Sequence, residues 1–441
     1  MYVYVLFWTA EDCRRQRRLH DLAAAMQQRR RIAVLLHQQQ RQPQQSHRKS
    51  AAFDWNQHML RLTPDEFRAR YRLDADAFYK LLQLVAADLE ITDKVRACTK
   101  REGSAVCPAT RLAVCLRFLA GGQVLDLKLI YQMSRFSIYA CVWKGISAIN
   151  KRLHIKFPID DIAALEELER DFRAKSPYGV WAGQVGCIDG VHFSMLNPGA
   201  AVDNPKRYFV ARKNECAILC IAICDAKRRF TYYDMNKAPT THDSMAWASS
   251  PLGVKFANGE LPQPFFINGD AAFSLSNSLI TPSGLKELDA FDFEQSSQRM
   301  PIECAFGILV RRWGILWRDL EVRFDRRTLL IAVCMKLHNF CIDNNVPLHE
   351  NVATDQASGY REVQPGRYED MPAMDSAGRP QRMFSASLPP PRREQSRAAL
   401  SPEVLRLRAS RRDKLAAAIL AAGLSRPPLP KGLHKKRRGS K

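Results

Sequence analysis

Apolar residues recur at helical spacing from about residue 60 to residue 153. Residues 63–66 (TPDE) predict a helix start, because they supply an N-cap, a proline at the first helical position and acids in the first turn. Asp74 caps a second predicted helix, whose apolar residues form one buried stripe. That stripe consists of Phe78, Leu81, Leu82, Val85 and Leu89. The pattern predicts an α-helical region over residues 60–178.

Further helices are predicted after Pro108, in RLAVCLRFLA, and on both sides of a turn at Ser134. Gly121-Gly122 ends the first of them. The other two, DLKLIYQMS and SIYACVWKGISAINKRL, resemble a helix-turn-helix, in which the second helix enters the major groove of DNA. Helical hairpins also serve plain packing in α-rich domains, so both interpretations stay open.

From Gln184 the spacing changes to that of short β-strands. The runs are VGCIDGVHF, ECAILCIAICD and RRFTYYDM, with a tight turn at residues 225–227, and they predict an antiparallel set. A fourth run, PFFIN, ends at Gly269-Asp270. Helical spacing returns in RMPIECAFGILVRRWGILW, with a core face of Ile302, Phe306, Leu309 and Trp313, and in TLLIAVCMKLHNFCID, which closes the domain near residue 345.

This order of elements predicts the α/β class, with a ribonuclease-H-like catalytic domain of mixed β-sheet flanked by helices. An α-helical, helix-turn-helix-like domain precedes it, and disordered basic tails flank both. The predicted boundaries are 1–59 for an Arg/Gln-rich low-complexity segment, 60–178 for the helical domain, 179–345 for the nuclease-like domain and 346–441 for the C-terminal tail. One short helix is expected in the tail, near PEVLRLRASRRDKLAAAILAAGL.

The charge of the chain favours a polyanionic partner. Its 441 residues include 67 Lys and Arg against 45 Asp and Glu, a formal net charge of +22. Binding to phosphates releases counterions, which strengthens association. Basicity alone does not separate DNA, RNA, an acidic membrane and a solvated basic surface.

The two ends of the chain bear on localisation. The apolar start MYVYVLFW is too short for a membrane span, and the acids and arginines that follow it are in the wrong order for a signal peptide, so we expect neither secretion nor a membrane segment. Residues 435–438 (KKRR) have the composition of a nuclear localisation signal, which a solvated basic tail shares.

The twelve cysteines lie singly along the chain, without a close CxxC pair, so neither a disulfide framework nor a zinc finger is indicated. Cys216, Cys220 and Cys224 have the even spacing that places them on one face of a strand. We interpret them as buried core thiols rather than metal ligands, because free cysteine packs as a small hydrophobe.

Three acids lie where phosphodiester chemistry needs them. Asp189 is expected at the end of the first strand beside Gly190, Asp270 ends the fourth strand, and Glu303 lies on the helix that packs across the sheet. Carboxylates are the ligands that hard cations such as Mg²⁺ take. Two such ions, about 3.5 to 4 Å apart, activate the attacking oxygen and stabilise the leaving one. The alternative is two turn acids and a solvent-facing helical glutamate.

Residues from about 60 to 345 resemble transposases of the Harbinger type, in the plant-transposon branch of that DDE group, and their domesticated relatives. The matching motifs, in the family's order, are GCIDGVHF, NPKRYFVARKNECAILCIAICDAKRRFTYYDM, THDSMAW, FFINGDAAF and RMPIECAFGILVRRWGIL. The resemblance implies that Asp189, Asp270 and Glu303 are the catalytic, metal-binding acids. Where the family has glycine after the lysine of ARKNE, this chain has Asn214.

The resemblance implies a nuclear DNA endonuclease, dependent on Mg²⁺ or Mn²⁺, that hydrolyses transposon ends and joins the 3′ hydroxyl to target DNA. It also implies binding to double-stranded DNA as a homo-oligomer and a separate Myb-like partner protein. A domesticated, catalytically silent DNA-binding protein and an RNA-cleaving enzyme are the alternatives. The expected accessory residues are Asp234, His242, Asp243 and Arg299. The expected phosphate contacts are Arg212, Lys213, Arg311 and Arg312, for which exposed surface is the plain alternative.

Overall fold

The computed structural model describes residues 53–90, 106–176, 179–211, 213–348, 373–374, 380–381 and 402–426. Most of the Arg/Gln-rich segment 1–59, the basic cluster 435–438 and Arg212 lie outside the described residues.

Seven helices precede the first strand in the described part of the chain. They are α1 (Trp55–Leu60), α2 (Pro64–Tyr71), α3 (Ala75–Leu89), α4 (Pro108–Leu119), α5 (Val124–Ile130), α6 (Arg135–Arg152) and α7 (Ile162–Arg173). The predicted caps are confirmed: Thr63 and Glu66 form a reciprocal capping box, and Asp74 accepts from the Ala77 amide. Ser134 caps α6, so α5 and α6 form the predicted hairpin.

The sheet is mixed, as predicted. Its strands are β1 (Gln184–Met195), β2 (Phe209–Val210), β3 (Glu215–Cys224), β4 (Phe230–Asp234), β5 (Phe266–Asn268) and β6 (Leu279–Ile280). The order is β2-β3-β1-β5-β6, and β4 also pairs with β3. Strands β1, β3 and β4 are antiparallel, whereas β5 and β6 run parallel to β1. Arg228 closes the tight turn between β3 and β4 with a backbone hydrogen bond to Asp225.

Four helices follow within the same region: α8 (Asp243–Ala248), α9 (Pro251–Ala257), α10 (Asp289–Arg312) and α11 (Phe324–Asp343). Helices α10 and α11 pack against one face of the sheet, and α2, α3, α4 and α6 join them in a single apolar cluster. Helices α8 and α9 and two leucines of α7 cover the other face. A mixed sheet flanked by helices is consistent with a ribonuclease-H-like core, while the predicted domain boundaries stay predictions.

The strand alternation of β3 confirms the expected placement of its thiols. Cys216, Cys220 and Cys224 are buried in the cluster beneath α10 and α11. The predicted core face of α10 is confirmed as well, since Ile302, Phe306, Leu309 and the adjoining Trp313 are buried. The helix itself starts earlier than expected, at Asp289, because its first turns pack on Trp181 through Phe291.

The C-terminal stretch differs in part from the disordered tail predicted over residues 346–441. Residues Pro402–Ala421 form α12, and its Leu415, Ala416 and Ile419 are buried against an apolar cluster that includes Trp181, Phe266 and Phe291. The short strands β7 (Ala373–Met374) and β8 (Pro380–Gln381) pair with each other. Among the helices that the structure describes, none has the length and apolar character needed to cross a membrane.

Candidate active site

Asp189 lies in the middle of β1 rather than at its end. The parallel pairing of β1 with β5 stops at Cys187 and Asn268, whereas the pairing with β3 continues to Met195. The two parallel strands therefore diverge just before Asp189, and this opens the sheet beside its side chain. Asp189 pairs with Ala222, so it lies on the face that α10 covers.

Asp270 lies two residues beyond the end of β5, the strand that diverges from β1, rather than at the strand end as predicted. Its Oδ1 accepts a hydrogen bond from the Ala272 amide at 2.8 Å, which fixes the turn after the strand. The preceding Gly269 is closely packed, since a Cβ there would lie 3.1 Å from side-chain atoms of Ile188 and Phe273. The turn therefore holds the carboxylate at the point where the strands separate.

Glu303 approaches from α10, across the same face of the sheet. Arg299 lies one helical turn before it and forms an ion pair with its carboxylate. The same guanidinium donates to Asp189 Oδ2 at 3.3 Å, while Asp189 Oδ1 accepts from the Gly190 amide at 2.8 Å. The structure thus brings Asp189 and Glu303 together around a single cation.

Buried amide side chains anchor α10 to the strands that carry the two aspartates. Asn268 donates to Gln184 Oε1 at 2.9 Å, and Gln184 donates to the Gln298 carbonyl at 3.2 Å. Gln295 donates to the Gly269 carbonyl at 2.8 Å. Since buried amides are costly without partners, these bonds fix the register of the helix over the strands.

Sequence analysis did not single out these four amides. The available signal was polar residues at positions where strand and helix spacing called for apolar ones: Gln184, Asn268, Gln295 and Gln298. Two of their oxygens, Asn268 Oδ1 and Gln295 Oε1, are buried without a hydrogen-bond partner among the described residues.

The electrostatics of the site make Asp189 hard to ionise. Its pKa is raised to about 7: burial is the largest cause, Arg299 opposes it, and the negative charges of Asp270 and Glu303 add to the rise. Burial alone would lower the pKa of Arg299, yet Glu303, Asp189 and Asp270 together keep it above its ordinary value. The negative charge of the three acids therefore exceeds the positive charge that Arg299 supplies.

Neighbouring carboxylates suit a divalent cation, because hard ions take oxygen ligands that offset their charge. In the conformation described, no three acidic, imidazole or thiol groups of the described residues are grouped to hold a metal ion. Arg299 lies between two of the three carboxylates instead. The chemistry of the three side chains fits such an ion, because each of them offers oxygen donors.

The accessory residues fall into different settings. Asp234 pairs with Ile221, so its side chain lies on the face of the sheet opposite Asp189, where Asn236 donates to it at 2.5 Å. His242 is exposed and caps α8, hydrogen-bonded to Ser244 at 2.8 Å. Arg299 contacts two of the acids, Asp189 and Glu303.

Asp243 packs against the backbone of Gly190, next to Asp189. A Cβ at Gly190 would lie 2.8 Å from the Asp243 carboxylate, so glycine is what permits this approach. In the Asp-Gly pair of GCIDGVHF, the side chain of Asp189 therefore lies on one face of β1, and Gly190 leaves room for α8 on the other face.

Gly190→Ala is expected to destabilise the protein by about 1 to 3 kcal/mol, because the new methyl group must displace the Asp243 carboxylate. Urea unfolding measures the change. In an Asp243→Ala background the same glycine substitution should have a much smaller effect, since the clash is gone. Equal losses in both backgrounds would contradict this packing.

The residues predicted to contact phosphate also lie in different environments. Arg311 is exposed at the end of α10, and Lys213 lies 3.9 Å from Glu215 in an ion pair away from the acids. Arg312 differs from the expected phosphate contact: it is buried, and its guanidinium donates to the carbonyls of Arg72 and Val346. The reason is its position on the core side of the helix end.

Asn214, which replaces the glycine expected from the family pattern, has a φ of 56°. Asparagine is among the few residues besides glycine that adopt this left-handed conformation at low cost. The departure therefore preserves the turn into β3.

Part of the chain is similar to a known protein family. The family model of the DDE superfamily endonucleases matches residues 188–339, a segment that contains all three acids and runs from β1 into α11. No curated protein and no solved structure matches the chain significantly. The match supports a DDE transposase-like family for this chain, and with it a nuclease or transposase type of function.

Proposed function

We propose that the chain is a metal-dependent DNA endonuclease and transposase, which hydrolyses phosphodiester bonds at transposon ends and transfers the 3′ hydroxyl to target DNA. One observation carries the proposal. Asp189 and Glu303 converge on a single cation, with Asp270 close enough to raise the pKa of Asp189, inside the segment that matches the DDE endonuclease model.

The residues proposed to hold the metal are Asp189, Asp270 and Glu303. Endonucleases of this superfamily generally use divalent metals, and we propose two Mg²⁺ or Mn²⁺ ions in the complex with DNA. Bound there, they would supply Lewis-acid stabilisation of the attacking and the leaving oxygen. The fit rests on the donor chemistry, since all three side chains offer only oxygen; Asp189 and Glu303 share one partly buried site, and Asp270 is near enough to affect the pKa of Asp189.

The proposed reaction has two in-line displacements. In the first, a water oxygen attacks the phosphorus, the bond to the 3′ oxygen breaks, and that oxygen takes up a proton to give a free 3′ hydroxyl. In the second, this hydroxyl loses its proton and attacks a phosphorus of the target strand, which releases a new 3′ end. The protein contributes positioning, because the buried amides fix α10 and Glu303 over the aspartates.

Finer assignments are part of the same proposal. The ordered motifs support a Harbinger-type element of the plant-transposon branch. The net charge of +22 supports binding to double-stranded DNA, with exposed Arg311 as one phosphate contact. We also propose a nuclear location, a homo-oligomer on DNA and a Myb-like partner that supplies specific DNA recognition.

A cleavage assay tests the proposal. Purified full-length protein, with its DNA-binding partner where required, is incubated with terminal-repeat DNA and Mg²⁺ or Mn²⁺, and the products are mapped to the nucleotide. We expect metal-dependent cuts that leave 3′ hydroxyl ends, followed by joining to plasmid DNA. Uncut DNA, together with no effect of Asp270→Ala, would refute the proposal. Preferential cleavage of an RNA–DNA hybrid would favour the ribonuclease alternative.

A second candidate is a domesticated protein that binds DNA or a partner without cleaving DNA. The observation that favours it is Arg299, which lies between two of the proposed metal ligands. The same assay separates the candidates, because this protein would shift terminal-repeat or unrelated DNA in a gel and leave it intact at every metal concentration. Flanking inverted repeats in the genome would argue for a mobile element instead.

A further inference from the structure

We propose that Arg299 is a positioning residue that serves as an internal counter-cation, holding Asp189 and Glu303 together until a divalent ion displaces it. The inference rests on the proposed metal dependence of the site. It adds that metal binding competes with a built-in ion pair, so that Arg299 sets the metal affinity.

The contacts of Arg299 are those of a shared cation. Its Nη1 lies 3.3 Å from Asp189 Oδ2, and its Nη2 pairs with Glu303 Oε1. The two acids come from β1 and from α10, elements that are joined here by one side chain. Guanidinium groups are well suited to this because their nitrogens point in fixed, divergent directions.

The environment makes this cation necessary. The side chains of Asp189, Glu303 and Arg299 are only 18%, 18% and 15% exposed, so water screens the two carboxylates poorly. Removal of one partner from such a group leaves an uncompensated charge in a partly buried site. In the metal-free protein Arg299 therefore supplies the positive charge that the acids require.

The sequence around Arg299 is compatible with its release. Pro301 lies inside α10 and has no amide hydrogen, so the helix lacks the backbone hydrogen bond that a residue at this position would make to Ser297. Arg299 is also a long side chain next to the opening between β1 and β5.

Isothermal titration of Mn²⁺ into the metal-free protein at pH 8 tests the inference. Arg299→Gln is expected to bind Mn²⁺ about tenfold more tightly than the wild type, since the ion no longer has to break two partly buried ion pairs. Arg299→Lys retains the charge but cannot bridge both acids. Its Mn²⁺ affinity should therefore lie between those of the wild type and Arg299→Gln. A residue with a purely structural role would weaken metal binding when replaced.

Thermal unfolding gives a second readout. Without metal, Arg299→Gln should have a lower Tm than the wild type, and saturating Mn²⁺ should raise its Tm by more than it raises that of the wild type. Arg229→Gln is the matched control, because Arg229 also bridges two acids, Asp225 and Asp343, outside the site. It should lower Tm without changing Mn²⁺ affinity.

The outcomes are distinguishable. Tighter binding by Arg299→Gln, or by Arg299→Lys if the glutamine variant does not fold, supports the inference. If the wild type binds Mn²⁺ and neither variant binds more tightly, the inference fails while the proposed function stands. If neither the wild type nor the variants bind Mn²⁺, both fail.

Discussion

Asp189→Asn is expected to lower the rate of metal-dependent DNA cleavage by about a thousandfold, and Asp270→Asn and Glu303→Gln should have similar effects. Each substitution removes one negatively charged ligand from a site whose ions are expected to supply several kcal/mol of transition-state stabilisation. Single-turnover cleavage of labelled terminal DNA measures the rate. Binding of the same DNA should stay within about threefold, because the acids do not attract phosphates.

Glu294→Gln is the matched control for these variants. Glu294 is another buried acid of α10, and burial alone raises its pKa. Its replacement should leave cleavage unchanged within about twofold, since single conservative substitutions away from a site rarely alter its chemistry. Full cleavage by any of the three acid variants would remove that acid from the proposed site.

The second large effect concerns the stability of the metal-free protein against pH. The pKa of Asp189 is raised from its ordinary value to about 7, so the folded protein binds an additional proton relative to the unfolded chain between pH 4 and 7. The contribution of Asp189 to the free energy of unfolding therefore falls as pH rises through this window. The slope is at most about 1.4 kcal/mol per pH unit.

Asp189→Asn mimics the protonated acid, and it should be as stable as the wild type near pH 4. Above that pH the variant should become progressively more stable than the wild type, up to a constant difference beyond pH 7. Urea unfolding at a series of pH values in EDTA measures both proteins. A variant that is less stable than the wild type at pH 8 would show that Arg299 compensates the charge of Asp189 fully.

Local spacing was sufficient to predict most elements of the fold. The capping box at Thr63, the four main strands, the tight turn after Asp225 and the core face of α10 follow from residues close together in sequence. Periodicity placed Asp189 on the first strand, Asp270 near the end of β5 and Glu303 on the following helix, but it wrongly put Asp189 at a strand end, because the strand continues through its pairing with β3 to Met195.

What the sequence did not predict depends on contacts between distant residues. Periodicity could not show that Arg299 also contacts Asp189, or that Gly190 makes room for Asp243. The packing of α12 could not be predicted either, because its apolar residues contact Trp181 and Phe291, which lie far away in the sequence. Arg312 is a similar case, since only the folded chain brings carbonyl groups to its guanidinium.

The most direct test of the proposed site is a crystal structure of the full chain grown with Mn²⁺, with anomalous scattering recorded at the manganese edge. We expect at least one anomalous peak within about 2.5 Å of carboxylate oxygens of Asp189, Asp270 and Glu303, and we expect Arg299 to have moved away from both Asp189 and Glu303. Anomalous peaks elsewhere, or none, with Arg299 still paired to Asp189 and Glu303 at saturating Mn²⁺, would contradict it.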